Sequence, residues 1–178
     1  APREPMVAIV LDDMGPNRKG TERALKLPAR ITFAFLPYAP RVADFVEAAR
    51  AHGHEILVHV PMEPVGSADP GPHALRTGET PDEIRANLAW NLSRFGGYVG
   101  INNHMGSRFT ANAGDMRLVM EDLKTRGLLF FDSRTSAETE AANEARAAGV
   151  PALSRNVFLD NDEEGAEVTA ELGKLEKL

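Results

Sequence analysis

The run Met6-Val-Ala-Ile-Val-Leu11 is uninterruptedly apolar and ends abruptly in two adjacent carboxylates, Asp12 and Asp13. Several of its residues are β-branched, so it reads as a strand buried on both faces, as in a parallel sheet covered by helices. Two acids at the carboxyl end of such a strand are costly to desolvate unless a positive charge compensates them. In α/β folds that end of the sheet is where ligands bind. A metal ion is the simplest compensation, and the rest of the chain contains residues able to ligate one.

Strand-like and helix-like patterns then alternate. Residues 6–11 are expected as a first strand, 17–26 as a short helix ended by Pro28, and 31–36 as a second strand stopped by Pro37. Val42, Phe45, Val46 and Ala49 recur at helical spacing, with Gly53 as a C-terminal cap. Residues 55–59 read as a third strand. The stretch 64–80 is rich in Pro and Gly and lacks periodicity, which makes it a long surface loop, and loops of that length are more often functional than neutral. Thr80-Pro81-Asp82-Glu83 carries a helix-start signal, with Thr as cap, Pro in the first turn and Glu three residues on. Its helix should run to Phe95. Tyr98–Ile101 is expected as a fourth strand, and Met116, Val119, Met120 and Leu123 mark a helix closed by Gly127. Leu128–Phe131 reads as a fifth strand, followed by a helix over 137–148, an extended piece at 152–159 and a last helix over 163–178. Such alternation indicates βαβ units and a parallel sheet, open or closed into a barrel.

A chain of 178 residues suffices for one domain with a core. Residues 1–5 read as the remnant of a Pro-containing linker and 6–178 as the domain, with any signal peptide or membrane anchor expected upstream of Ala1. The net charge of −6, with Lys and Arg scattered among acids, argues against nucleic acid as a partner. No apolar run is long enough to cross a bilayer. The absence of Cys excludes disulfides, thiolate metal sites and a Cys nucleophile.

The polar residues that matter fall where strands are expected to end: Asp12 and Asp13, His59, Asn102-Asn103-His104, and Asp132-Ser133. In a parallel sheet these ends lie on one side, so residues distant in sequence converge. Two imidazoles, one carboxylate and an open position for water are the usual ligand set of catalytic zinc. Such an ion lowers the pKa of its water to about 7, and the second carboxylate of the pair is placed to act as general base. Each element also has a plainer reading. Asp-Asp at a strand end serves as a turn or cap, Asn102-Asn103 makes a turn, and a lone His at a strand end is structural. His52 and His54 read as structural or surface residues and His73 as solvated. Glu63 is a ligand, a neighbour of the ligands, or a solvent-facing acid. The joint occurrence favours a metal site.

These motifs resemble those of the polysaccharide deacetylases. Ile9-Val-Leu-Asp-Asp-Met-Gly15 is similar to the first motif of that family, and Gly53-His-Glu-Ile-Leu-Val-His59 to the segment that supplies a metal-binding His. His59-Val-Pro-Met-Glu-Pro64, Asn102-Asn-His-Met-Gly-Ser107 and Phe131-Asp-Ser133 resemble most closely the divergent polysaccharide deacetylases of bacterial envelopes. The resemblance, which spans residues 6–161, implies an α/β fold: a distorted or incomplete (β/α) barrel with a mainly parallel sheet. It also implies hydrolysis of an N- or O-acetyl group on a carbohydrate by metal-bound water, with zinc the expected divalent ion. By position, Asp12 would be the general base, Asp13 a metal ligand and His59 the first metal-binding His. His104 completes the ligand set by geometry, because it lies where ordinary members carry an Arg-Pro-Tyr motif.

The candidate site is then Asp12 and Asp132 for catalysis and Asp13, His59 and His104 for the metal. Glu63, Asn103, Ser107, Ser133 and Arg155 are expected to touch substrate or support the ligands. Two departures stand out. Ordinary members carry a second His where this chain has Glu63, and they end on a strand bearing a Leu-x-His motif whose His protonates the leaving group. No His follows His104 here, so the last strands and the general acid are expected to be missing. Arg155 and Asp160-Asn161 are expected either to line the same pocket or, for Arg155, to pair with Asp132 as a buried charge. The expected protein is a periplasmic or envelope-associated hydrolase. The alternatives are an envelope module that binds metal or glycan without turnover, and a phosphoesterase, which the shortage of clustered Arg and Lys disfavours.

Overall fold

The computed structural model describes residues 6–28, 30–160 and 165–175. Among them six strands line up in chain order, each parallel to the next: β1 (Val10–Met14), β2 (Thr32–Phe35), β3 (Glu55–Met62), β4 (Gly100–Met105), β5 (Leu129–Asp132) and β6 (Ala152–Ser154). Helices α1 (Arg18–Ala24), α2 (Val42–Ala51), α3 (Pro81–Ser93), α4 (Ala113–Arg126) and α5 (Ala141–Ala148) make the crossovers, and α6 (Gly165–Leu175) follows β6. β1 and β6 are not paired with each other, so the sheet is an open α/β sheet and not a closed barrel. Ala1–Pro5 and Asn161 lie outside the described residues.

Local signals account for several boundaries. At the start of α3, the Thr80 hydroxyl accepts from the Glu83 amide at 3.3 Å, and the Glu83 carboxylate accepts from the Thr80 amide at 2.8 Å. This reciprocal box satisfies donors that the first helical turn leaves free. Asn112 caps α4 with a single bond, its side chain accepting from the Asp115 amide at 3.1 Å, and Gly127 closes the helix in the left-handed region with φ 68°.

One face of the sheet is sealed by the helices. Ile56, Val58, Val60 and Met62 alternate along β3 and join Phe33, Phe35, Ile101 and Phe130 in a core with Ile84 and Leu88 of α3 and Met116, Val119, Met120 and Leu123 of α4. All are buried. Removing each such side chain from water contributes about 1.5–3 kcal/mol, and this continuous layer holds the strand ends in register.

Three expectations change. The run at residues 6–11 is not a strand buried on both faces: β1 starts only at Val10, and Met6 and Val7 are 92% and 59% exposed. The reason is that β1 is an edge strand with one neighbour, β2. β3 extends past His59 through Pro61. That proline is tolerated because β2 has already ended opposite Val58, and Pro61 instead accepts from the Leu75 amide at 2.9 Å. β4 starts later than expected and contains Asn102, Asn103 and His104 instead of preceding them.

Candidate metal centre

The two carboxylates owe their position to an irregularity in β1. Leu11 is paired with Phe33 and Met14 with Phe35, so Asp12 and Asp13 together face the single residue Ala34. Asp13 takes the left-handed conformation, φ 52°. In a regular strand consecutive side chains point to opposite faces; a bulge re-aims one of them. Both carboxylates therefore turn toward His59: Asp13 Oδ1 lies 3.3 Å and Asp12 Oδ2 3.8 Å from His59 Nε2. The chain leaves this bulge through Gly15 at φ 114°, where an added Cβ would stand 2.6 Å from Cβ of Ala39. Its amide donates to the Thr21 hydroxyl at 3.0 Å, which ties the bulge to α1.

His59 and Asn102 are register partners on β3 and β4, and His104 lies two residues on from Asn102 along the same strand face. His104 Nδ1 is 2.8 Å from Asp13 Oδ1. The two imidazole rings stand edge to face with centroids 5.0 Å apart. His59 is buried, His104 is half-buried and both carboxylates are open to solvent, so the cluster has a sealed floor and an accessible mouth. Hydrogen bonds to His104 and His59 hold the Asp13 carboxyl well below the usual carboxylate range. Partial desolvation pushes its neighbour Asp12 the other way; His59 opposes that rise, and the nearby Asp13 and Asp160 carboxylates add to it. Adjacent acids in such different environments suit different roles.

The donor set fits a divalent cation. Asp13, His59 and His104 each present one ligand atom, all within 4.8 Å of one another. The separations of 2.8 and 3.3 Å are close to the spacing of roughly 3.3 Å between ligand atoms on a tetrahedral ion with bonds of about 2.0–2.1 Å. Two imidazoles and a carboxylate, with room on the solvent side, leave positions open for water and substrate.

The remaining candidates lie elsewhere. Glu63 faces away from the cluster: its carboxylate accepts from the Thr77 amide at 2.8 Å and lies 3.6 Å from Arg108 Nε, while its backbone exchanges with Leu75 and Arg108. It staples the two ends of loop 64–80. Ser107 does similar work, its hydroxyl accepting from the Val65 amide at 2.8 Å. Asn103 accepts from the Ser133 amide at 2.9 Å and donates to the Met105 carbonyl at 2.7 Å, bracing the ends of β4 and β5. The Asp132 carboxylate is buried, with one oxygen accepting from the Arg134 amide at 2.8 Å and the other from the Thr139 hydroxyl at 3.0 Å. It builds the turn into α5 and does not reach the cluster. Arg155 does not pair with that carboxylate; its guanidinium donates to the carbonyls of Ser133 at 2.7 Å and Arg134 at 2.9 Å.

Of the other histidines, His54 is buried and stacked on Phe33 at 4.2 Å, His52 touches the Ala48 carbonyl, and exposed His73 stacks on Trp90 at 3.8 Å. Asn102, expected among the polar residues at strand ends or else as part of a turn, is given no role in the candidate site by the sequence. It is fully buried, its Oδ1 is 2.9 Å from His59 Nδ1, and its Nδ2 donates to the Ser133 hydroxyl at 3.2 Å. The available signal was its spacing of two from His104, which puts both on one face of a strand.

With the geometry in hand, comparison with known proteins places the chain among relatives. A family model described as divergent polysaccharide deacetylase matches residues 9–178. The uncharacterised protein YibQ of Escherichia coli K12 is 34% identical over 168 residues, covering 94% of this chain and 53% of its own length. An uncharacterised Haemophilus influenzae protein is 36% identical over 164 residues, 91% of this chain and 58% of its own. This chain thus spans little more than half of either relative. The crystal structure of an uncharacterised protein from Agrobacterium tumefaciens C58 superposes with a TM-score of 0.93 at 32% identity, over 96% of this chain and 70% of that one.

Proposed function

This chain belongs to the divergent polysaccharide deacetylase family, and from that membership and its ligand cluster we propose that it is a metal-dependent hydrolase removing acetyl groups from a carbohydrate of the bacterial cell envelope. The observation that carries the proposal is the convergence of Asp13, His59 and His104 at one solvent-facing point. When bound there, a divalent ion, zinc for this donor set, supplies a water acidic enough to attack at neutral pH and a Lewis acid for the acetyl carbonyl.

The chain's own residues divide the remaining work. Asp13, His59 and His104 hold the ion. Asp12, beside them on the bulge and not needed as a ligand, takes the proton from the attacking water as general base. Loop 64–80, which Glu63 and Ser107 staple, is assigned the role of shaping which carbohydrate is accepted. The periplasm or envelope is the proposed setting, where the carbohydrate would be met. No helix among the described residues is long and apolar enough to cross a membrane.

The engagement of Asp132 within its own turn leaves Asp12 as the one acid of the expected catalytic pair beside the cluster, and the general acid is already expected to be missing. This favours a second reading, a module that binds metal or glycan without turnover. Zinc-loaded protein incubated with acetylated chito-oligosaccharides or peptidoglycan fragments separates the two. Acetate release that disappears in Asp12→Asn supports the hydrolase. Glycan binding without acetate release supports the module, and failure to retain zinc removes the hydrolase.

A further inference from the structure

We propose that Asn102 is a positioning residue that locks His59 in the tautomer whose Nε2 lone pair faces the cation position. The proposal rests on the cation reading of the cluster, and goes beyond it by assigning the proton on a specific ring nitrogen to a residue that touches neither ion nor substrate.

The argument starts from burial. His59 and Asn102 are 2% and 0% exposed, so neither side chain can exchange its partner for bulk water. His59 Nδ1 lies 2.9 Å from Asn102 Oδ1. A carboxamide oxygen accepts and cannot donate, so Nδ1 must carry the hydrogen. When the ring is neutral, as a cation-binding imidazole must be, that one N–H sits on Nδ1 and Nε2 presents its lone pair; without a cation Nε2 can still carry a proton toward the Asp13 carboxylate. Nε2 is the atom 3.3 Å from Asp13 Oδ1, the place where a cation needs a donor of electrons.

The amide itself is held from behind. Its Nδ2 donates to the Ser133 hydroxyl at 3.2 Å. The Ser133 amide donates to Asn103 Oδ1 at 2.9 Å, and its carbonyl accepts from Arg155 Nε at 2.7 Å. A relay therefore runs from Arg155 after β6, through Ser133 after β5 and Asn102 on β4, to His59 on β3. Because His59 and Asn102 are paired across the β3–β4 ladder, the sheet sets the distance between them. A reversed amide would present Nδ2 to the ring, move the ring proton to Nε2 and close the ligand position. Partners of this kind behind a metal-binding His alter affinity by about 10–100-fold.

Zinc affinity, measured by competition with a chelating indicator on wild type, Asn102→Leu, Asn102→Asp and Ser133→Ala, tests the assignment, together with long-range proton–nitrogen NMR correlations of the His59 ring in metal-free protein. The expected results are a proton on Nδ1 in wild type, zinc binding weaker by about 10–100-fold in Asn102→Leu, and affinity restored in Asn102→Asp, which keeps an acceptor. Ser133→Ala should weaken zinc by a smaller factor. An Nδ1 without a proton in wild type, or wild-type affinity in Asn102→Leu, overturns the proposal. If Asn102→Leu does not fold, the wild-type ring spectrum and Ser133→Ala decide. Wild type that binds no zinc refutes the cation reading, and the ring spectrum still decides the tautomer.

Discussion

Oδ1 of Asp13 lies 2.8 Å from Nδ1 of His104 although their strands, β1 and β4, stand three positions apart in the sheet. At about 4.8 Å per strand, a flat sheet would hold those backbones roughly 14 Å apart. The contact therefore requires a strongly curled sheet, and the curl gathers separate strand ends into one cluster.

If that cluster holds zinc, the ion should stabilise the fold. At a hundredfold excess over the dissociation constant the gain is about 2.7 kcal/mol, read as a higher thermal midpoint that a chelator reverses. His104→Ala and Asp13→Asn should abolish the shift. The shift should also shrink as pH falls, because the ligands must be deprotonated to bind. An undiminished shift in either variant would place the ion elsewhere.

Asp12→Asn separates chemistry from binding. It should retain zinc and lower acetate release by about 10²–10⁴-fold, the usual contribution of a positioned general base. Parallel zinc and acetate assays check this, and loss of zinc in the variant would move Asp12 into the ligand set.

Glu63 occupies the position of an expected ligand but closes a loop. Glu63→Ala should leave zinc stoichiometry unchanged while destabilising the protein by about 1–3 kcal/mol, the consequence of stranding the Thr77 amide. Hydrogen exchange should accelerate at Leu75 and Thr77. Reduced zinc stoichiometry in a folded variant would contradict this assignment.

Gly15→Ala tests the bulge. The positive φ of 114° and the 2.6 Å approach to Ala39 both oppose a side chain, so destabilisation should exceed about 1 kcal/mol in denaturant unfolding. A neutral outcome would mean that the bulge adapts freely.

Asp115 gives a pH signature. Burial raises its carboxyl pKa, and the nearby Glu63 and Glu79 raise it further. A carboxyl with a folded pKa above its unfolded value favours the protonated fold, so its ionisation detracts from stability as pH rises through the unfolded and then the folded value. Asp115→Asn should therefore match wild type at strongly acid pH and gain on it toward neutrality. Denaturant midpoints across that range check the sign, and a constant difference would refute it.

Much of the fold was legible because its signals are local. The Thr80–Glu83 box, the Gly127 end of α4 and the apolar stripe of α4 each depend on residues within a few positions of one another. β4 was misread for the opposite reason. Asn102, Asn103 and His104 are polar, and they lie in a strand because β3 pairs beside them and Ser133 and His59 satisfy their amides. Asp132 looked catalytic from its place after an apolar run, yet Arg134 and Thr139 occupy its oxygens.

From residue types and spacing alone came the parallel α/β architecture, the sites of helix start and stop, and the short set of groups able to bind a cation. Which of those groups meet was settled only in three dimensions. Asp12 and Asp13 point the same way because β1 bulges against β2, and Asp13 reaches His104 because the sheet curls. Bulge and curl are properties of strand pairing and packing between distant segments, and a linear pattern of polarity carries no record of either.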